Sequence, residues 1–150
     1  MSKSKAQENE QTGSVKPSLP KTLTGISGLD QITYGGIPTG RTTLICGDAG
    51  SGKTLMSLEF MIRGSMEYNE PGVFMAFEEK SEELATNVAS LGFDLDMLQA
   101  EKKIKVSHVH IDRSEIEETG EYDLEGLFIR LEHDINSIGA KRVVLYTIEN

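Results

Sequence analysis

The sequence predicts an α/β fold, a mostly parallel sheet flanked by helices, from three observations. Short apolar, β-branched runs alternate with segments of helical period, the pattern of a parallel sheet with helical crossovers. A glycine-rich turn, GDAGSGKT, joins one such run to one such helix. The runs are bounded by Gly, Pro and Asn-containing turns rather than by alternating hairpin signals.

The elements follow in chain order. Residues 1–21, MSKSKAQENEQTGSVKPSLPK, are polar and contain two of the prolines, too few apolar groups to offset the cost of ordering, and read as a disordered tail. Residues 22–150 read as the folded part of the chain, a single domain. It opens on a loop-rich stretch, GISGLDQITYGGIPTG. TTLICG (42–47) reads as a short buried strand, with Cys46 as a small core residue. TLMSLEFMIRGSMEY is helical, with Leu55, Leu58 and Ile62 on one face and Met56 and Phe60 extending it. VFMAF (73–77) is a second buried strand. Ser81 suits the N-cap of the next helix, with Glu82 and Glu83 in its first turn and Gly92 at its end. KIKVSHVHI is a third strand. Asp123 caps a helix whose apolar positions Leu124, Leu127, Leu131, Ile135 and Ile138 follow the 3.6 period up to Gly139. KRVVLYTI is a fourth strand.

Bulk properties exclude several classes. With 150 residues and a formal net charge of -9, the chain has one domain at most and no surface suited to neutralising many phosphates, so DNA is not an expected partner. Cys46 is the single cysteine, which excludes an intrachain disulfide and a cysteine zinc site. No apolar run has membrane-spanning length and the N-terminus has no signal-like apolar region, so a cytoplasmic protein is expected.

The chemistry concentrates in Gly47, Asp48, Ala49, Gly50, Ser51, Gly52, Lys53 and Thr54, which match G-x-x-x-x-G-K-[ST]. Glycines let successive backbone N–H groups turn toward phosphate oxygens, and the following helix adds partial positive charge. Lys53 supplies a mobile cation for the β- and γ-phosphates, and the Thr54 hydroxyl is a ligand for Mg²⁺. ATP with Mg²⁺ is the implied ligand. Glu78 and Glu79 end the second strand, on the edge where sites form in parallel sheets. A carboxylate there could activate the water that attacks the γ-phosphate, although two solvated acids in a loop would look the same. His108, His110 and Asp112 alternate on the third strand and could hold a metal, but a polar strand face explains them more simply.

GISGLDQITYGGIPTGRTTLICGDAGSGKT followed by PGVFMAFEE resembles the start of a KaiC-type ATPase domain, within the wider RecA/RadA-like group of P-loop folds. The resemblance runs from about Thr22 to Asn150. It implies a ring-forming, typically hexameric cytoplasmic ATPase whose clock members are also Ser/Thr autokinases. It makes Gly50 to Thr54 the phosphate and Mg²⁺ contacts and Glu78 and Glu79 the paired catalytic acids. RecA-type recombination ATPases generally carry one acid at that step, so the pair favours the KaiC branch over the alternative reading, a DNA-repair role. Two departures stand out. The resemblance implies an Mg²⁺-holding aspartate after VVL, where this chain has Tyr146, and Glu149 falls on the opposite strand face. A phenol is neutral at physiological pH and supplies neither the charge nor the room. The chain also covers only about half of such a domain, so impaired hydrolysis, or a non-hydrolysing nucleotide-binding remnant, is expected.

Overall fold

The computed structural model of the chain describes residues 18–77, 81–110 and 124–146. The proposed tail, Glu78 and Glu79, Asp112, Asp123 and Glu149 lie wholly or largely outside these residues.

The described chain begins with a small antiparallel ladder. β1 (Lys21–Thr22) pairs with β2 (Ile37–Pro38), and the short helix α1 (Ser27–Ile32) lies between them. The sequence pattern predicts a loop-rich segment over 25–40 and puts Lys21 in the tail, whereas Lys21 is in β1. The order of this stretch comes from Asp30, whose carboxylate accepts from the Thr24 N–H at 2.8 Å, the Thr24 hydroxyl at 2.6 Å and the Gly25 N–H at 3.0 Å. One side chain thus satisfies three donors in a segment that has few ladder bonds of its own.

The main sheet has the order β4-β3-β5, all parallel, with β3 (Gly72–Ala76) in the centre. β4 is Ile104–His108 and β5 is Arg142–Tyr146. Every residue of β3 is buried, as expected of a strand covered on both faces. Register places Phe74 between Val106 and Val144, and Ala76 between His108 and Tyr146.

The two faces carry different helices. On one, Phe74, Ala76 and Ile104 form the core with Leu58, Met61 and Ile62 of α2 (Lys53–Glu67) and with Leu84 and Val88 of α3 (Ser81–Ser90). α4 (Leu95–Ala100) completes this layer through Leu95 and Leu98. Asp94 caps α4 by accepting from the Met97 N–H at 3.0 Å, a helix with no counterpart among the elements the sequence predicts. On the opposite face, α5 (Leu124–Ile138) packs over β3 and β4. There Lys105 reaches the buried Asp134 at 2.9 Å and the Ser137 hydroxyl at 3.3 Å.

Three expectations need correction. Residues 42–47 form no ladder with any described strand, and they are exposed, Leu44 at 84%. Cys46 is exposed with them rather than buried. A β-branched run has strand character only when a neighbour completes its hydrogen bonds, and among the described residues β5 pairs only with β3. Leu55 is also exposed, while Met61 and Ser65 join Leu58 and Ile62 on the buried face of α2. On α5, Leu124 is exposed and the remaining predicted positions are half-buried.

Candidate nucleotide site

The candidate site forms where α2 begins. Gly50 and Gly52 have φ values of 78° and 90°, in the left-handed region that side chains rarely adopt. Gly52 is the N-cap of α2, and no side chain caps the helix there. Its first-turn N–H groups are therefore not taken by a side-chain acceptor, and no acidic residue sits in that turn. This is the end of a helix that attracts anions. Residues 47–52 are all exposed.

Lys53 is the first residue of α2, and its ammonium folds back on the loop. It donates to the Gly47 carbonyl and, at 3.1 Å, to the Asp48 carbonyl. The Ser51 N–H donates to the same Asp48 carbonyl at 3.1 Å. The cation is thus held against the loop by two neutral acceptors, bonds that an anionic phosphate oxygen can outcompete.

Thr54 points toward β5. Its hydroxyl lies 2.5 Å from the phenol oxygen of Tyr146, either atom donating. The Tyr146 ring stacks on Phe74 with centroids 5.6 Å apart and an interplanar angle of 28°. The sequence singles out both residues but gives no sign that they meet; parallel pairing of β5 with β3 is what delivers the phenol to the first turn of α2.

Farther along the same face of β5, Arg142 makes a second contact with α2. The residue is 3% exposed. It donates to Glu70 Oε2 at 2.7 Å, to the Phe60 carbonyl at 2.9 Å and to the Leu23 carbonyl at 2.7 Å. The Phe60 ring lies 4.4 Å from the guanidinium carbon, a cation–π distance. Gly64 makes room for this, since a Cβ there would fall 2.3 Å from Arg142 Nε. Sequence reasoning passed over Arg142, which nothing in its local pattern distinguishes from a solvated strand end.

The loop suits a polyphosphate by its backbone and by Lys53. The described residues do not suit Mg²⁺ equally well. Among them no group of three or more His, Cys, Asp or Glu could hold a metal, and the Thr54 hydroxyl has a phenol, not a carboxylate, as its partner. His108 and His110 form no metal cluster with other described residues.

A parallel sheet whose helix α2 starts on this loop defines a P-loop nucleotide-binding α/β domain. The family model described as "ATPase: KaiC" matches residues 22–150, and the chain belongs to that family, with a partial RecA-like fold. It is similar to "Circadian clock protein KaiC2" of Synechocystis sp., 61% identical over 132 residues that make up 88% of this chain and 23% of the relative. It also resembles "Circadian clock oscillator protein KaiC" of Parathermosynechococcus lividus, 38% identical over 87% of this chain and 24% of the relative. The protein of the same name in Synechococcus elongatus is 38% identical over 87% of this chain and 25% of its own length. The chain thus spans about a quarter of the length of the curated relatives it matches.

Proposed function

We propose that this chain carries the phosphate-binding part of an ATP-binding, KaiC-like ATPase, with turnover impaired by Tyr146. The observation that carries the reading is the phosphate loop itself, a left-handed Gly52 leading into Lys53 and Thr54 at an uncapped helix N-terminus.

In this reading the backbone of Gly47 to Gly52 and the first turn of α2 hold the phosphates. Lys53 exchanges its bonds to the Gly47 and Asp48 carbonyls for the β- and γ-phosphate oxygens. Glu78 and Glu79 are assigned as the acids that orient and deprotonate the attacking water, and replacing both by Gln should leave binding intact while hydrolysis falls by about 10²–10⁴. The names of the relatives, and the family's ring-forming habit, support assembly with further copies and a place among clock-type ATPases. Ser/Thr autokinase activity and a cytoplasmic location belong to the same proposal.

A second reading, a non-hydrolysing nucleotide-binding protein, is favoured by the Thr54–Tyr146 hydrogen bond. Both readings require the loop to bind. Titration of a fluorescent ATP analogue should show saturable binding by the chain and none by Lys53→Ala. Equal affinity in the two proteins would remove Lys53, and with it the phosphate-loop assignment.

A further inference from the structure

The Thr54–Tyr146 pair has a consequence for the form of nucleotide the chain takes, and the inference rests on the phosphate-loop reading above. A P-loop hydroxyl serves Mg²⁺ through its oxygen, with a strand carboxylate supplying negative charge nearby. In this chain the Thr54 oxygen has the Tyr146 oxygen 2.5 Å away. Octahedral Mg²⁺ holds its ligand oxygens at ~2.0–2.1 Å, so neighbouring ligands in its shell stand about 2.9 Å from one another. The phenol oxygen is therefore closer to Thr54 than a second Mg²⁺ ligand would be. At that separation the two oxygens are a hydrogen-bonded pair rather than neighbouring ligands of one ion.

Two features keep the phenol there. Its ring stacks on Phe74, a side chain with no exposed surface, so swinging the hydroxyl away forfeits aromatic packing. Its backbone is fixed as well, because the Phe77 N–H donates to the Tyr146 carbonyl at 3.0 Å. Whichever oxygen donates, Thr54 keeps at least one lone pair, but its partner is a phenol rather than a carboxylate. No negative charge arrives in exchange.

We infer that Tyr146 is a hydroxyl latch on Thr54 that offers a metal no negative charge on that side of the phosphate loop. The chain takes a nucleoside triphosphate through the loop backbone and Lys53, in its metal-free form as readily as in its Mg²⁺ complex. The latch is an intramolecular contact between the first turn of α2 and the end of β5, so it ties the strand end to the loop before any ligand arrives.

The test is a titration of a fluorescent ATP analogue into the chain with MgCl₂ or with EDTA, repeated for Tyr146→Phe and Tyr146→Asp. The unaltered chain should bind equally in both conditions, within about twofold. Tyr146→Asp should bind about tenfold or more tightly with Mg²⁺ than with EDTA, the scale of one charge-assisted contact. Tyr146→Phe keeps the ring, frees the Thr54 oxygen and adds no charge, so a metal response of about a few-fold is expected. A metal response in the unaltered chain as large as that of Tyr146→Asp would overturn the latch, as would no response in either variant. Loss of binding by the unaltered chain in both conditions would overturn the phosphate-loop reading, and the latch with it.

Discussion

Two contacts between β5 and α2 differ sharply in how they are built. Arg142 and Tyr146 lie on one face of the strand, about 13 Å apart at ~3.3 Å per residue. Gly64 and Thr54, which they meet, are about 15 Å apart along the helix at ~1.5 Å per residue. Strand and helix thus run alongside each other and touch through polar groups at both ends. The Arg142 end is buried, and its guanidinium is satisfied by a carboxylate and backbone carbonyls from three segments. The Tyr146 end has one hydroxyl pair, and beyond it the loop 47–52 is exposed. One end anchors the fold and the other is left able to respond to a ligand. Stability and binding are assigned to opposite ends of a single strand–helix pair.

The sharpest way to break this division is at Arg142. Arg142→Met removes a guanidinium from a buried site and strands the Leu23 carbonyl and the Glu70 carboxylate, costing about 3–5 kcal/mol in global stability. Urea unfolding would measure it; a loss below about 1 kcal/mol would reduce the network to a surface ion pair. Next in size is Gly64→Ala. Its Cβ would sit 2.3 Å from Arg142 Nε and 2.4 Å from Cδ, so despite Ala's better helix propensity a net loss of about 1–2 kcal/mol is expected in the same assay. Tyr146→Phe should cost about 1 kcal/mol or less in stability, as loss of one hydroxyl pair. The comparison would fail if Tyr146→Phe destabilised as much as Arg142→Met.

Acid should act on the anchored side as well. Burial would raise the Asp30 carboxyl, but hydrogen bonds from the Thr24 hydroxyl, the Thr24 and Gly25 N–H groups and the charge of Arg142 outweigh it and hold it below its ordinary value. Asp134 is likewise lowered, against its burial, by Lys105 and by the charge of Arg130. A carboxyl whose folded value is depressed contributes fully above its unfolded value and loses that contribution as pH falls through the folded one. Stability should therefore be level near neutrality and decline below about pH 4. Asp30→Asn should flatten part of that decline, read from urea midpoints between acid and neutral pH.

The open side carries a different liability. Leu44, Ile45, Val143 and Leu145 are exposed at 84%, 41%, 39% and 53%, and among the described residues β5 pairs only with β3. Such an apolar surface beside an unpaired strand edge favours association. The 150-residue chain on its own should form concentration-dependent aggregates by light scattering. Scattering that stays monomeric across the concentration range would contradict this.

Much of this arrangement was legible in the sequence because it follows from local rules. The alternation of β-branched runs with helical periods placed β3, β4, β5, α2, α3 and α5, and the loop motif needed nothing beyond its own spacing. What local rules could not show depended on partners distant in sequence. TTLICG has every property of a buried strand, yet strand character needs a neighbour and none of the described strands pairs with it. Arg142 looked like an ordinary charged strand end; its burial needs Gly64 and Glu70 to arrive beside it. The hold of Asp30 on the Thr24 and Gly25 donors was masked by the glycines around it, and the Asp94 cap by the shortness of its helix. Tyr146 was noticed for the residue it displaces, while its bond to Thr54 could be seen only in three dimensions.

The division of labour along α2 and β5 can be read directly by hydrogen exchange with and without ATP. Amides whose opening is limited by the anchored end should be slow from the start, and those of the loop fast. Addition of ATP should slow exchange across Gly47 to Met56, by occupying the loop and the first turn of α2, and leave Phe60 to Tyr68 and Arg142 to Val144 unchanged. Protection confined to the Arg142 end, or no change at Gly47 to Met56 at saturating ATP, would contradict the assignment of this loop as the nucleotide site.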